Sequence, residues 1–224
     1  MILHSAKNKS RAVIVAFASL CISLSVIAII STVYAAPKTP KPDAAASSQA
    51  FQQVYKVFTS PRCQNCHPAG DAPLQGDDSH VHMQNVKRGK DGHGVSAMRC
   101  DTCHQAANLP GEHMPPGNPK WSLPTPEHKM VFVGRSAPDL CRQIRDPKQN
   151  GNRTLEQLYD HVAHDDLVGW GWNPGDGRTL PPLSREETAK QMRTWIDGGA
   201  HALIESSMEN SRGADLARVM RSQT

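Results

Sequence analysis

Cys63-Gln64-Asn65-Cys66-His67 and Cys100-Asp101-Thr102-Cys103-His104 are two copies of C-x-x-C-H. Thiols three residues apart on a helical turn can add to the two vinyl groups of one porphyrin, and the next residue then places an imidazole under the iron. The spacing predicts two covalently bound haem c groups, attached through Cys63, Cys66, Cys100 and Cys103, with His67 and His104 as proximal iron ligands. A zinc knuckle or ribbon uses similar thiol pairs but leaves the histidine after each pair without a task. Two disulfides or a thioredoxin-like redox pair do the same.

Each iron needs a sixth ligand unless it is catalytic, and His or Met is the usual choice. Two places stand out. Asp77-Asp78-Ser79-His80-Val81-His82 puts two imidazoles on a polar loop between the motifs, and His161 and His164 lie at i, i+3, so one faces inward while the other is solvated. The expected distal ligands are His82 for one haem, with His80 as runner-up, and His161 for the other, with Met98 the main competitor. Bis-His ligation gives low-spin irons, lower potentials than His/Met and no open site for substrate. Asp71, Asp77 and Asp78 lack EF-hand spacing and read as solvated acids.

Helices must position these groups. Phe51, Val54, Tyr55 and Phe58 recur at helical spacing and stop at Pro61, just upstream of Cys63. Ser136 with Asp139, Thr154 with Gln157 and Ser184 with Glu187 open three more helices, the last carrying Ala189, Met192, Trp195 and Ile196 and closing at Gly198-Gly199. Trp195 resembles the aromatic residue by which the last helix of small c-type cytochromes packs on haem, ordinary core being the alternative. Leu167 to Gly175 reads as a tight aromatic loop in which Trp170 and Trp172 are haem-pocket wall or loop core, a partner-docking patch being the alternative. Cys141, the thiol left over in the mature chain, reads as a buried small hydrophobe. From Pro68 to Pro124 the text is rich in Gly, Pro, Asp and His, a loop wrapped around something. Strands should be few.

The 224 residues carry 25 Lys+Arg and 21 Asp+Glu. Lys7, Lys9 and Arg11 fall in the first 35 residues, which hold no acid, so the remainder is nearly neutral and a nucleic-acid partner has no support. All 16 Gly and 17 Pro follow that stretch, leaving a body poor in aromatic residues that needs a cofactor to complete its core. Ala12 to Ala36 has no charged side chain, follows the basic cluster and ends in small residues. This predicts an export signal or, retained, a membrane anchor, and places the body in the periplasm. The expected organisation is signal or anchor 1–35, Pro/Ala/Ser-rich tether 36–50, dihaem domain 51–201 and tail 202–224. The fold class is mostly α and loop-rich, a class I cytochrome-c-like body. Cys63 and Cys100 lie too close in sequence for a one-haem domain to fit between them, so the haems share one folded unit.

Cys63 to Asp71, Gln75 to Asp78, His80-x-His82, Met98 to His104 and Leu167 to Trp172 together resemble a family of bacterial exported dihaem proteins usually labelled isoquinoline 1-oxidoreductase subunits. The similarity spans about 51–201. It implies an electron-transfer partner of a molybdenum hydroxylase, with family positions matching His80, His82 and His161 but not His164. The chain itself lacks the C-x₄-C-x₂-C arrangement of a plant-type iron–sulfur site and the length for a molybdopterin domain. The expected function is one-electron relay in the periplasm, from a dehydrogenase donor to a cytochrome or oxidase acceptor, with no catalytic residue of its own. The alternative is a haem enzyme or a gas or peroxide sensor with one open iron site.

Overall fold

A computed structural model describes residues 43–202. The expected signal or anchor, the tether up to Pro42 and the tail beyond Ala202 lie outside the described residues. No helix among them is long and apolar enough to cross a membrane.

Asp43 opens α1 (Ala44–Phe58), its Oδ1 accepting hydrogen bonds at 3.0 Å from the amides of Ala45 and Ala46. The helix buries Ser47, Ala50, Phe51, Val54, Val57 and Phe58 on one stripe. Extended tether was expected as far as Ala50, and this is a correction: 44–50 forms the first two turns of α1. The cause lies in the serines, which look like linker but cap another element. Ser47 Oγ donates to Trp195 O at 2.7 Å and accepts from His201 N at 3.0 Å, while Ser48 Oγ donates to Ala202 O at 3.1 Å.

Three further helices complete the core. Ser136 accepts from Asp139 N to start α3 (Ala137–Arg145), and Thr154 with Gln157 forms a reciprocal capping box at α4 (Leu155–His164). Ser184 starts the last long helix, Arg185–Asp197. That helix runs along α1 and also packs on α4. Gly198 lets it approach, because a Cβ there would stand 2.6 Å from Ser47 Cβ and 2.9 Å from Asp43 O. Phe51, Leu140, Ile144, Met192 and Trp195 meet between these helices with no more than 2% exposure.

Single helical turns carry the motifs. α2 (Pro61–Gln64) holds Cys63 directly after α1, and a 3-10 turn, Cys100–Thr102, opens the second motif. The aromatic segment is also turned instead of looped: Asp165 caps α5 (Asp166–Gly169), which runs into a 3-10 turn at Trp170–Trp172. The long helix 185–197 is thus α6. Strand structure among the described residues is two antiparallel pairs of two residues each, β1 (Leu74–Gln75) with β2 (His80–Val81) and β3 (Gly94–Val95) with β4 (Met98–Arg99). The protein is mostly helical and otherwise loop.

Arg88, 1% exposed, ties the loops together. Its guanidinium donates to Pro124 O and, at 3.3 Å, to Gly70 O, and its own amide donates to Asp71 O at 2.7 Å. Gly92 at φ +80° passes so close to Leu123 O that a Cβ would sit 2.1 Å from it.

Candidate functional site: two cavities with a common wall

Each C-x-x-C-H copy opens onto its own cavity. The first, about 380 Å³, is lined by Cys63, Cys66 and His67, by Phe58, Ile144, Leu158, Val162 and Met192 of the four long helices, and by His161, Trp170 and Trp172. The second, about 560 Å³, is lined by Cys66, Cys100, Cys103 and His104 together with His82, Met98, His113, Pro115, Pro116 and Arg178. Both volumes suit a large bound group. Arg62, Cys66, Trp121, Ser122, Leu123 and Trp170 line both, so the cavities lie side by side.

The backbone of each motif turns as thioether attachment requires. Cys66 N donates to Cys63 O at 3.2 Å, and Cys103 N donates to Cys100 O at 3.2 Å. In each motif the imidazole is then anchored through Nδ1. His67 Nδ1 donates to Met130 O at 3.1 Å, and His104 Nδ1 donates to Pro116 O at 2.7 Å. A proton held on Nδ1 leaves the Nε2 lone pair free, the tautomer a metal-binding histidine needs. The rings are also clamped by aromatic neighbours: Phe132 stacks on His67 at 4.0 Å and Trp121 on His104 at 4.5 Å between centroids.

Burial holds these rings neutral. It pushes the His67 pKa down to about 4 against the upward pull of the Met130 carbonyl, with His161 across the cavity pushing further down. Burial likewise lowers His104, with the charge of His82 adding to it. His82 and His161 are lowered by burial first of all. Neutral imidazole is the metal-binding form. Burial also pushes the Cys63 thiol up to about 12 and the Cys66 thiol to about 11.

Further imidazoles line both cavities, His128 and His161 in the first and His82 and His113 in the second. His161, in the last turn of α4, lines the first cavity, and the Asp165 carboxylate stands 3.6 Å from its Nδ1. His164 does not line it, and its side chain is 69% exposed against 30% for His161. In the second cavity the His82 and His104 ring centroids are 6.3 Å apart. An imidazole nitrogen sits about 2 Å from a first-row metal, with the ring centroid roughly 1 Å beyond, so two rings flanking one ion are about 6 Å apart. His82 Nδ1 is buried without a hydrogen-bond partner. His80 turns outward, its Nδ1 2.6 Å from the exposed Asp78 carboxylate. Met98 lines the second cavity but is 41% exposed. The spacing of His82 and His104 thus fits an iron between them, and in the first cavity the residue types present, His67 and His161, suit the same group.

Two expectations need correction. Trp195 lines neither cavity: it packs on Phe51 at 5.0 Å and donates from Nε1 to His201 O at 3.1 Å. Met192, one turn earlier on α6, reaches the first cavity in its place. Asp77 is not simply solvated, because Arg62 Nη2 lies 2.5 Å from its Oδ1 and Thr179 donates twice to its Oδ2. Sequence reasoning passed over Phe132, Trp121, Arg62 and Arg178. Only the tryptophan carried a signal, its place in a polar loop with no core to join. Trp121 and Trp170 meet edge to face at 4.9 Å in the common wall, where Asn108 Oδ1 accepts from Trp170 Nε1 at 2.9 Å. Cys141 is fully buried in the helical core, as expected.

Among the described residues no three His, Cys, Asp or Glu side chains are grouped to hold one metal ion, as a zinc knuckle would need; a porphyrin iron asks the protein for two ligands. Compared with known proteins, the chain matches no family model, none of the curated proteins and no solved structure.

Proposed function

We propose that this protein is a dihaem c-type cytochrome, class I-like in its helical part, that relays single electrons in the periplasm. The observation that carries the reading is the doubled arrangement: each C-x-x-C-H turn borders its own cavity, and each cavity is lined by a further imidazole, His161 beside the first motif and His82, its ring centroid 6.3 Å from that of His104, beside the second. Bound haem supplies a one-electron ferric/ferrous couple. The chain's own residues would hold the iron through His67 and His104, whose tautomers are set by Met130 O and Pro116 O. A second imidazole to each iron would leave neither an open position, which supports relay over catalysis. The common wall would make the two groups neighbours.

The donor class follows from the family resemblance: a molybdenum-hydroxylase-type dehydrogenase, with a downstream respiratory cytochrome or oxidase as acceptor. Four haem propionates make the nearly neutral body net acidic, so docking relies on a local patch.

The test is the intact mass and absorption spectrum of protein matured in a host that attaches haem c. Mass for two haems and low-spin bands that ignore CO are expected. Colourless protein, or mass without two prosthetic groups, ends the reading. High-spin bands or rapid CO binding in the reduced protein transfer it to a haem enzyme or gas sensor.

A further inference from the structure

The residue before each motif is an arginine, yet the two fare differently. Arg99 is 38% exposed and paired with Asp91 at 2.9 Å. Arg62 is turned inward, its side chain 2% exposed, in the wall common to both cavities. Asp77 and Gly76 O engage its Nη2, but its Nε is buried without a partner. Arg178 lines the second cavity as well and donates only to the carbonyls of Pro174 (3.0 Å) and Met114 (2.7 Å). Arg178 therefore has no carboxylate of its own, and the one carboxylate beside Arg62, Asp77, has its second oxygen already occupied by Thr179. Burial and the neighbouring Arg62 both push the Arg178 pKa down. A partly buried pair of cations with one saturated carboxylate lacks an anion, and guanidinium favours a carboxylate as that partner.

We infer that Arg62 and Arg178 form a carboxylate-binding site in the wall of the second cavity, and that its ligand is a propionate of the haem attached at Cys100 and Cys103. The inference rests on the dihaem reading. The site keeps that propionate ionised and thereby holds the potential of the second haem constant with pH; Asp77 positions Arg62.

The experiment is a spectroelectrochemical titration of the haem-loaded full chain from about pH 5 to about pH 8, the span in which a carboxyl freed of its cation titrates. The second haem is identified as the one lost in the C100A/C103A protein. His113, which also lines this cavity and bears on Asp77, is first replaced by Asn to remove a titrating neighbour; Arg99 keeps its charge throughout the range. R62Q should raise the ferric-to-ferrous ratio of the second haem about tenfold at the alkaline end, a fall of 59 mV for one electron. The shift should fade toward the acid end as the propionate protonates. R62K should restore a flat profile, and R142Q, which removes the same charge from an exposed position on α3 that lines neither cavity, should leave the profile flat. R178Q carries the same test if R62Q fails to mature. Haem-loaded R62Q and R178Q proteins with profiles parallel to the parent overturn the inference alone; a parent without haem overturns the dihaem reading and the inference together.

Discussion

At the scale of single residues, the chemistry depends on which face of a helix a side chain occupies. His161 and His164 are three residues apart on α4, yet one lines the first cavity and the other is 69% exposed. His161→Ala should therefore convert one of two haems to a high-spin form that binds about one CO per chain when reduced, and His164→Ala should leave the spectrum unchanged. A low-spin spectrum in both variants would remove His161 from the ligand set. The same logic separates His82→Ala, which should disturb the second haem, from His80→Ala, which should not. Cys141 gives a count. Four of the five described cysteines are expected in thioethers, so denatured protein without residues 1–35, which carry Cys21, should show one thiol that reacts with an alkylating reagent. Native protein should show none, because Cys141 is fully buried and burial pushes its thiol up to about 11. More than one reactive thiol in the denatured chain means incomplete haem attachment.

At the scale of elements, the sequence was most legible where a helix announces its own start. Ser136, Thr154 and Ser184 each accept from the amide three residues on, as their spacing predicts. The start of α1 was hidden because Ser47 and Ser48 bond to Trp195, His201 and Ala202, partners some 150 positions away that no local pattern shows. The two C-x-x-C-H motifs were legible because their spacing is local. The arginines and Trp121 were not, because the loops that bring them in are held by side-chain to backbone bonds such as those of Arg88 and Asn108. Between elements, Arg193 of α6 forks onto Glu156 of α4 at 2.8 and 2.5 Å and lies 3.9 Å over the Tyr159 ring. The hydrogen bond from Arg193 holds the Glu156 carboxyl below its usual range. A carboxyl depressed in the folded state stabilises above its unfolded pKa, and that contribution disappears as pH falls through the folded value. Glu156→Gln should thus lower the melting temperature modestly at about pH 7 and by less at about pH 3. Equal effects at both pH values would show that the pair contributes packing and no charge.

At the scale of the whole molecule, the two cavities are built from different material. The first is enclosed by Phe58, Ile144, Leu158, Val162 and Met192, which belong to the same helices that form the core. The second draws on none of α3, α4 and α6; it is walled by two short hairpins, proline-rich loop and the turns at 100–104. A group bound in the first cavity would therefore be part of the core, whereas one bound in the second would order the loops beside it. This predicts unequal results when each attachment site is removed. Cys63→Ala with Cys66→Ala leaves a helical core around an unfilled apolar space, at a cost on the order of 3–5 kcal/mol. For a domain of this size that lowers the melting temperature by about 10 °C. Cys100→Ala with Cys103→Ala should keep the helical circular dichroism and most of the melting temperature, while the Pro68–Pro124 segment becomes sensitive to protease. Thermal melts by circular dichroism and limited proteolysis read both outcomes. Equal loss of stability from the two variants would mean that the hairpins and the helices fold as one cooperative unit around both groups, and that the division seen in the cavity walls has no energetic counterpart.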